Sequence, residues 1–341
     1  MSGQRRRWPI IESSSHDPRP QLFSACEVIL LMGMSPVSEL LAPSSSLSRS
    51  HIPPWVVELR PQHWVKNVLI IVPLAAAHQL QDVPSLARVA AAFVAFSLCA
   101  SGQYVLNDLL DLAADRAHST KSKRPLAAGT LSRGAGVILM VLIWAGAVLT
   151  AATLGVAFCG VLAAYLALML AYSWRLKHVA VLDAIVLGAG YAARVAAGGV
   201  AVAIRPSAWL IAFCVCLFYS LALVKRYAEL AQNRERDGPC AHARGYLGVD
   251  LPLVAMFGVG SGYLAVWVLA MYLTTEHPAR VLYDRPLFIG LTGILLAYWI
   301  SHLWLVANRG KLTDDPVVFA IRDRLSRVLV ALMGICAWLA V

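Results

Sequence analysis

The stretch from Val89 to Asp115, VAAAFVAFSLCASGQYVLNDLLDLAAD, changes from apolar to acidic near its end. Its apolar part is long enough for a helix across the hydrocarbon core of a bilayer, which takes about 20 residues. Its end places Asp108, Asp111 and Asp115 where hydrocarbon gives way to water. Ionised groups there are costly unless a cation binds them. The stretch therefore predicts a membrane helix that ends in a cation-binding site.

Apolar segments recur along the rest of the chain. Of the 341 residues, 59% are hydrophobic and only 14% are charged, whereas a soluble domain has about a quarter charged residues. Segments of membrane-spanning character lie at 68–82, 88–107, 135–154, 156–174, 180–203, 207–227, 251–274, 286–306 and 325–341. They predict an all-α, polytopic membrane protein with nine transmembrane helices.

The N-terminal part differs in composition. Residues 1–50 are rich in Ser, Pro and Arg, which predicts a disordered tail ahead of a membrane domain at 51–341. Met32 and Met34 are alternative start positions within this tail. The seven cysteines are odd in number and form no CxxC pair, which argues against a disulfide framework or a zinc site.

Charge is distributed unevenly between alternate loops. The loops on one predicted side carry most Lys and Arg residues, and the opposite loops hold only Arg88, Arg205, Arg280 and Arg285. The positive-inside rule therefore predicts a cytoplasmic N-terminus and a cytoplasmic acidic motif, in a bacterial-type inner (plasma) membrane. The same bias explains the net charge of +10, so we expect the bilayer, and no nucleic acid, as a partner.

The acidic motif has the spacing of a metal site. On a helix, Asp108, Asp111 and Asp115 would stack on one face, with Asn107 on its flank. Hard oxygen ligands suit Mg²⁺, which completes its shell with substrate phosphates. We therefore predict that these four residues bind Mg²⁺ and that the three aspartates are catalytic. The alternative is a solvated acidic helix end.

A basic loop, DRAHSTKSKRPLAAG at 115–129, follows directly. Its Lys123 and Arg124 are predicted to bind substrate, because cations beside metal ligands neutralise a phosphorylated leaving group from a second side. A diphosphate substrate would account for both the acidic and the basic residues.

With these residues in view, the chain resembles the UbiA-type intramembrane prenyltransferase superfamily. The resemblance rests on N-D-x-x-D-x-x-x-D at 107–115, K-x-K-R-P-L-A-A-G at 121–129 and YSWRLKHVAVLD at 172–183, and it covers roughly residues 55–341. It implies a nine-helix bundle that binds a diphosphate through Mg²⁺ at its cytoplasmic face and holds a polyprenyl chain in a lateral groove.

A narrower resemblance points to the decaprenyl-phosphate phosphoribosyltransferase branch. LRPQHWVKNVLIIVPL at 59–74, LVKRYAEL at 223–230 and DPVVFAIRDR at 315–324 carry it. Residues 224–238 stand where other prenyltransferases have a second Asp-rich motif, and they contain no D-x-x-x-D. This departure favours transfer of 5-phosphoribose from phosphoribosyl pyrophosphate to a polyprenyl phosphate. The alternative is transfer of a prenyl group from prenyl diphosphate to an aromatic acceptor.

Three residues at helix ends are candidates for phosphate binding. Lys66 precedes the first apolar segment and is predicted to hold the lipid phosphate. Tyr172 and Lys177 close the fourth segment and are predicted to bind a substrate phosphate. All three also suit an interfacial anchor of Trp, Tyr and Lys type.

The last candidates lie deeper in the bundle or at the end of the sixth segment. Arg194, inside an apolar segment, needs a partner, and we predict a carboxylate of the Asp motif or a substrate phosphate. Lys225 and Arg226 are predicted to bind the ribose 5-phosphate, the alternative being a loop anchor.

A transporter is the rival from another class. Transporters place ionisable groups near mid-membrane and contain internal repeats, whereas this acidic motif lies at a membrane edge and no repeat is evident. The sequence leaves open whether the protein forms a homo-oligomer.

Overall fold

The computed structural model describes residues 53–117, 121–237, 242–275, 283–312 and 315–340. The predicted N-terminal tail, residues 1–50, lies outside the described residues. The α-helices are α1 Pro54–Leu59, α2 Val72–Ala76, α3 Val83–Leu110, α4 Leu112–Ala117, α5 Pro125–Ala128, α6 Arg133–Ala152, α7 Val156–Trp174, α8 Leu182–Ala201, α9 Ala208–Asp237, α10 Leu251–Thr275, α11 Pro286–Asn308, α12 Pro316–Arg322 and α13 Arg324–Leu339.

Short elements connect these helices. The 3₁₀ helices span Pro61–Ile71, Lys121–Lys123, Leu176–His178 and Gly248–Asp250. Strands β1 (His242–Ala243) and β2 (Tyr246–Leu247) pair antiparallel in a hairpin. Gly245 turns this hairpin with a positive φ of 84°, and its missing side chain lets the turn approach the backbone of His178, since a Cβ would lie 2.3 Å from that carbonyl oxygen.

Within the described residues, seven helices are long and apolar enough to cross a membrane: α3, α6, α7, α8, α9, α10 and α11. This confirms the all-α polytopic fold, whereas the predicted count of nine is not confirmed. The predicted first span, 68–82, consists of the end of a 3₁₀ helix and the short α2, because Pro73 lacks a backbone donor and the chain turns at His78 with a positive φ. The last helix, α13, has 16 residues.

Buried side chains form two large cores and one small one. One large core joins α8 to α11 and α13, and the other joins α3, α7 and α8. The small core contains Val105, Leu112, Leu126 and Ile143. It ties α4, α5 and α6 to the end of α3, and it thereby holds the basic loop against the acidic motif.

The 3₁₀ segment Pro61–Ile71 packs closely on α8. A Cβ on Gly198 would lie 2.0 Å from the carbonyl oxygen of Ile70, so only glycine permits this approach. The contact brings Lys66 and Asn67 of the segment beside α8, although both are far from that helix in sequence.

Candidate active site

The acidic motif is divided by a helix break at Asp111. Helix α3 ends at Leu110, Asp111 is its C-cap, and α4 starts at Leu112. Asp108 and Asp115 are each 3% exposed, whereas Asp111 is exposed. The predicted single face is therefore interrupted, and two of its three aspartates point into the protein.

The two buried aspartates meet at one guanidinium group. Arg124 Nη1 donates to Asp108 Oδ1 at 2.9 Å and to Asp115 Oδ2 at 2.5 Å. Arg60 also donates to Asp108, and Lys121 Nζ lies 4.0 Å from Asp115 Oδ1. We call these five residues the aspartate cluster. The predicted proximity of Arg124 to the motif is thus observed.

Arg60 reaches the cluster from a left-handed backbone conformation. It caps α1 with φ 52° and ψ 57°, which is an uncommon conformation for a residue with a side chain. Its guanidinium group lies 5.2 Å from the ring centroid of Tyr104, within the range of a cation–π contact.

Glu58 lies beside the cluster and was missed by the sequence analysis. It is 1% exposed, and neither carboxyl oxygen has a hydrogen-bond partner among the described residues. Burial, together with the neighbouring carboxyl of Asp108, raises the pKa of Glu58 to about 7. A single Glu before the first apolar segment carries no spacing signal, so only the structure could identify it.

The oxygen-rich composition of this region fits a divalent cation. Asp108, Asp111 and Asp115 supply carboxylates and Asn107 an amide oxygen, which are the donors that Mg²⁺ prefers. The side chains of Asn107 and Asp111 form no hydrogen bond or ion pair with the described part of the chain. Across the same residues, no three His, Cys, Asp or Glu side chains already surround one point closely enough to hold a metal. The arginines neutralise the buried carboxylates in this state.

A second group of charges forms what we call the basic pocket, a cavity of about 190 Å³. Lys66 Nζ lies 2.7 Å from Asp315 Oδ2, and Lys225 Nζ lies 3.5 Å from the same oxygen. Burial alone would raise the pKa of Asp315, but the two ammonium groups hold it at about 2. The lining residues are Lys66, Tyr104, Tyr172, Leu187, Tyr191, Leu221, Ala222, Lys225, Arg226, Arg244, Asp315, Pro316 and Val317.

Tyr104 connects the aspartate cluster and the basic pocket. Its ring lines the pocket and also contacts Arg60 of the cluster. His63 packs against it with the ring planes tilted by 45° and the ring centroids 5.4 Å apart. Burial, with the nearby Lys66 and Arg60 charges, lowers the pKa of His63 to about 4, so this imidazole is neutral at physiological pH. The two charged regions therefore adjoin at Tyr104.

Arg226 lines the basic pocket, but the protein engages its whole guanidinium group. Nε donates to Asp183 Oδ2 at 2.5 Å, Nη1 donates to Glu229, and Nη2 donates to Tyr172 Oη at 3.3 Å. Arg244 donates to the same Tyr172 oxygen at 2.7 Å. Tyr172 thus lies in the predicted region, held by two arginines, and the predicted substrate contacts of Tyr172 and Arg226 stay predictions.

The partners of Arg194 within the described residues are neutral, and none of them is a carboxylate of the Asp motif. Arg194 donates to Asn67 Oδ1 at 2.8 Å, to Tyr165 Oη at 2.7 Å and to the Gly190 carbonyl at 2.6 Å. Asn67 in turn donates to Ser97. Arg194 lies on α8 beside the 3₁₀ segment, and the neutral groups there occupy its guanidinium group. Its predicted role in substrate binding stays a prediction.

Two predicted lysines take part in none of the ion pairs of either region. Lys123 is exposed and Lys177 is partly buried, and neither forms an ion pair or hydrogen bond within the described residues. Asp183 and Asp315 lie in motifs that carry the family resemblance but were not selected as site residues, whereas Tyr191 and Arg244 belong to no such motif.

Comparison with known proteins agrees with the resemblance inferred from the motifs. The UbiA prenyltransferase family profile matches residues 68–335. The chain is 38% identical over 85% of its length to the uncharacterized protein y4nM of Sinorhizobium fredii, and it spans 56% of that relative. It is 37% identical over 81% of its length to nodulation protein NoeC of Azorhizobium caulinodans, covering 89% of that protein.

A further relative, the decaprenyl-phosphate phosphoribosyltransferase of Mycobacterium tuberculosis, is 35% identical over 84% of the chain and 91% of its own length. Among solved structures, a UbiA homolog from Archaeoglobus fulgidus bound to GPP and Mg²⁺ superposes with a TM-score of 0.61 at 16% identity, covering 84% of this chain and all of that one. At this identity the structural likeness concerns the fold, which is that of a multi-pass membrane protein.

Proposed function

Since this chain belongs to the UbiA prenyltransferase family, we propose that it transfers 5-phosphoribose from phosphoribosyl pyrophosphate to a polyprenyl phosphate such as decaprenyl phosphate. Pyrophosphate is the second product. A relative that carries the name of this activity is 35% identical over most of both chains, which supports the proposal.

The observation that carries this proposal is the basic pocket. Its two lysines share the single carboxylate of Asp315, so the pocket keeps a positive charge in excess at that point. Prenyl diphosphate has one charged group, whereas phosphoribosyl pyrophosphate has a pyrophosphate and a separate 5-phosphate. A site that combines the aspartate cluster with the neighbouring basic pocket matches phosphoribosyl pyrophosphate better than prenyl diphosphate.

Mg²⁺ is the cofactor that the acidic region would hold, through Asn107, Asp108, Asp111 and Asp115. When bound, it neutralises the pyrophosphate and stabilises its departure. Arg124 of the same region lies where it can bind the leaving group beside the motif, and we propose the same for Lys123. Lys66, Lys225 and Tyr172 would orient the phosphates in the basic pocket.

The reaction is a substitution at ribose C1. A phosphate oxygen of the lipid forms the new bond to C1, while the bond from C1 to the pyrophosphate oxygen breaks and its electron pair leaves with pyrophosphate. Because the lipid phosphate is already anionic, no proton has to be removed from it. The side chains therefore contribute mainly by positioning the two substrates. The excess of Lys and Arg in the loops at this end supports a cytoplasmic site in the plasma membrane.

A two-substrate assay on the purified full chain tests the proposal. One reaction contains radiolabelled phosphoribosyl pyrophosphate and decaprenyl phosphate, and the other contains radiolabelled prenyl diphosphate and 4-hydroxybenzoate, each with Mg²⁺ or with a chelator. We expect a labelled phosphoribosyl lipid in the first reaction, only with Mg²⁺, and no labelled prenylated hydroxybenzoate in the second. Prenylated hydroxybenzoate, with no phosphoribosyl lipid, would refute the proposal in favour of prenyl transfer.

A further inference from the structure

Glu58 has no role in the reaction described so far, yet it is among the most thoroughly buried charged residues of the described chain. The described side chains that keep buried polar atoms without a hydrogen-bond partner are those of Glu58, His63 and Trp299, and Glu58 is the only carboxyl group among them. Because a buried carboxyl group that accepts no hydrogen bond from a protein donor is unfavourable, a cation bound beside Glu58 would stabilise it.

The surroundings of Glu58 favour such a cation. Its carboxyl lies against that of Asp108, and the charges of Arg60 and Arg124 also act on it. Both arginines are already hydrogen-bonded to Asp108, so neither donates to Glu58. The two oxygens of Glu58 thus add donors to an oxygen-rich region, and neither arginine is paired with them. This arrangement suits a cation that is shared with the motif.

We propose that Glu58 is a further ligand of the divalent cation, supplied by α1 to the site that the aspartates of α3 and α4 form. The inference rests on the proposed function only in that the motif binds a divalent cation. Glu58 would be a ligand from outside the Asp motif. Binding of the cation would therefore link α1 to the end of α3. The left-handed turn at Arg60, directly after α1, keeps both Glu58 and Arg60 beside Asp108.

Binding of Mn²⁺ to the purified full chain, followed by electron paramagnetic resonance with and without inorganic pyrophosphate, tests this inference. Glu58→Gln keeps the shape of the side chain and removes its charge. We expect it to weaken Mn²⁺ binding at least about tenfold. Its melting temperature without metal should equal or exceed that of the wild type, because an unpaired carboxyl group is removed. The control is Asp82→Asn, which removes a carboxylate at the opposite end of α3, where Asp82 caps the helix through Ser85 and Asn is an equally good cap.

Unchanged Mn²⁺ affinity in Glu58→Gln would overturn the inference, as would a wild-type protein that binds no Mn²⁺ in either condition. If Glu58→Gln does not fold, Glu58→Asp decides. This variant keeps the carboxylate but shortens the side chain by one methylene group. Weaker Mn²⁺ binding than in the wild type would support a ligand role, and equal Mn²⁺ affinity would refute it. The outcome is separate from that of the transfer assay: Mn²⁺ affinity that depends on Glu58, without labelled lipid, would refute phosphoribosyl transfer and leave the metal ligand standing.

Discussion

In the aspartate cluster two carboxylates share one cation, Nη1 of Arg124, whereas in the basic pocket two ammonium groups share one anion, Oδ2 of Asp315. In each region one side chain bridges two groups of the opposite sign, and in the aspartate cluster Arg60 and Lys121 add further cations beside Asp108 and Asp115. In the proposed reaction, the first region would offer oxygen ligands to a metal–pyrophosphate complex, and the second would offer ammonium groups to a separate phosphate. The opposite chemistry of two adjoining regions is what a substrate with two separate phosphate groups requires.

The two regions also differ in how the chain builds them. Arg124 lies 9 and 16 residues from its two aspartates. Asp315 lies 90 and 249 residues from its two lysines. The Arg124 contacts are local, whereas the Asp315 contacts depend on the packing of distant helices, so variants in the two regions should fail in different ways.

The largest effect is expected from Asp111→Asn, which tests whether the acidic region binds a metal. Asp111 is exposed and forms no ion pair or hydrogen bond with the described residues, so its loss should change the free energy of unfolding by less than about 0.5 kcal/mol. Activity should fall at least about 100-fold, because a ligand of the pyrophosphate-bound cation is lost. Labelled-lipid formation and thermal unfolding measure the two quantities.

Asp82→Asn serves as the control for this variant, since it changes an aspartate of the same helix far from the motif. If Asp111→Asn retained full activity, the proposal that the acidic motif binds a metal would be wrong. The aspartate cluster and the basic pocket would then differ only in their ion pairs.

The next effect is expected from Lys66→Met, which removes one of the two ammonium groups of the basic pocket. A lost charge-assisted hydrogen bond costs about 1.5–3 kcal/mol, so we expect KM for a phosphorylated substrate to rise about 50-fold. Steady-state kinetics with each substrate varied in turn will identify which phosphate Lys66 binds.

Lys311→Met is the matched control for Lys66→Met, because Lys311 is an exposed lysine with no partner in the described chain. Equal KM values in the two variants would argue that the basic pocket does not bind substrate.

A smaller effect is expected from Asp315→Asn, which removes the anion that the lysines share. Asp315 and Lys66 have side chains only 12% and 15% exposed, so two ammonium groups would be left close together and poorly solvated. We expect a loss of about 2 kcal/mol in stability. Inorganic phosphate should restore more stability to this variant than to the wild type, as measured by thermal unfolding. Equal phosphate effects would show that the pocket does not bind anions.

The smallest effect is expected in the loss of stability at acidic pH. The pKa of Asp315 is held at about 2 in the folded protein, below its unfolded value of about 3.9. Its contribution to stability is therefore present above about pH 4 and is lost as the pH falls toward 2. Between pH 4 and pH 3 the wild type should lose about 1 kcal/mol more stability than Asp315→Asn. Parallel acid sensitivity of the two proteins would contradict this assignment.

The sequence was a good guide where helical periodicity governs contacts. The clustering of Asp108 and Asp115 near Arg124, the polytopic helical fold and the family all followed from local patterns. Periodicity was a poor guide where a helix is interrupted. Pro73 and His78 shorten the first predicted span, and the end of α3 at Asp111 separates this aspartate from the other two.

By itself, the sequence determined that this protein is a helical membrane protein with an acidic motif and a basic loop side by side, because both properties depend on residues within a few helical turns. Only the tertiary structure decided that Asp315 neutralises Lys66 and Lys225, that Arg194 binds neutral groups, and that Glu58 lies unpaired beside Asp108. These contacts arise where separate helices pack, and their geometry is set by side-chain shape across interfaces rather than by spacing along the chain.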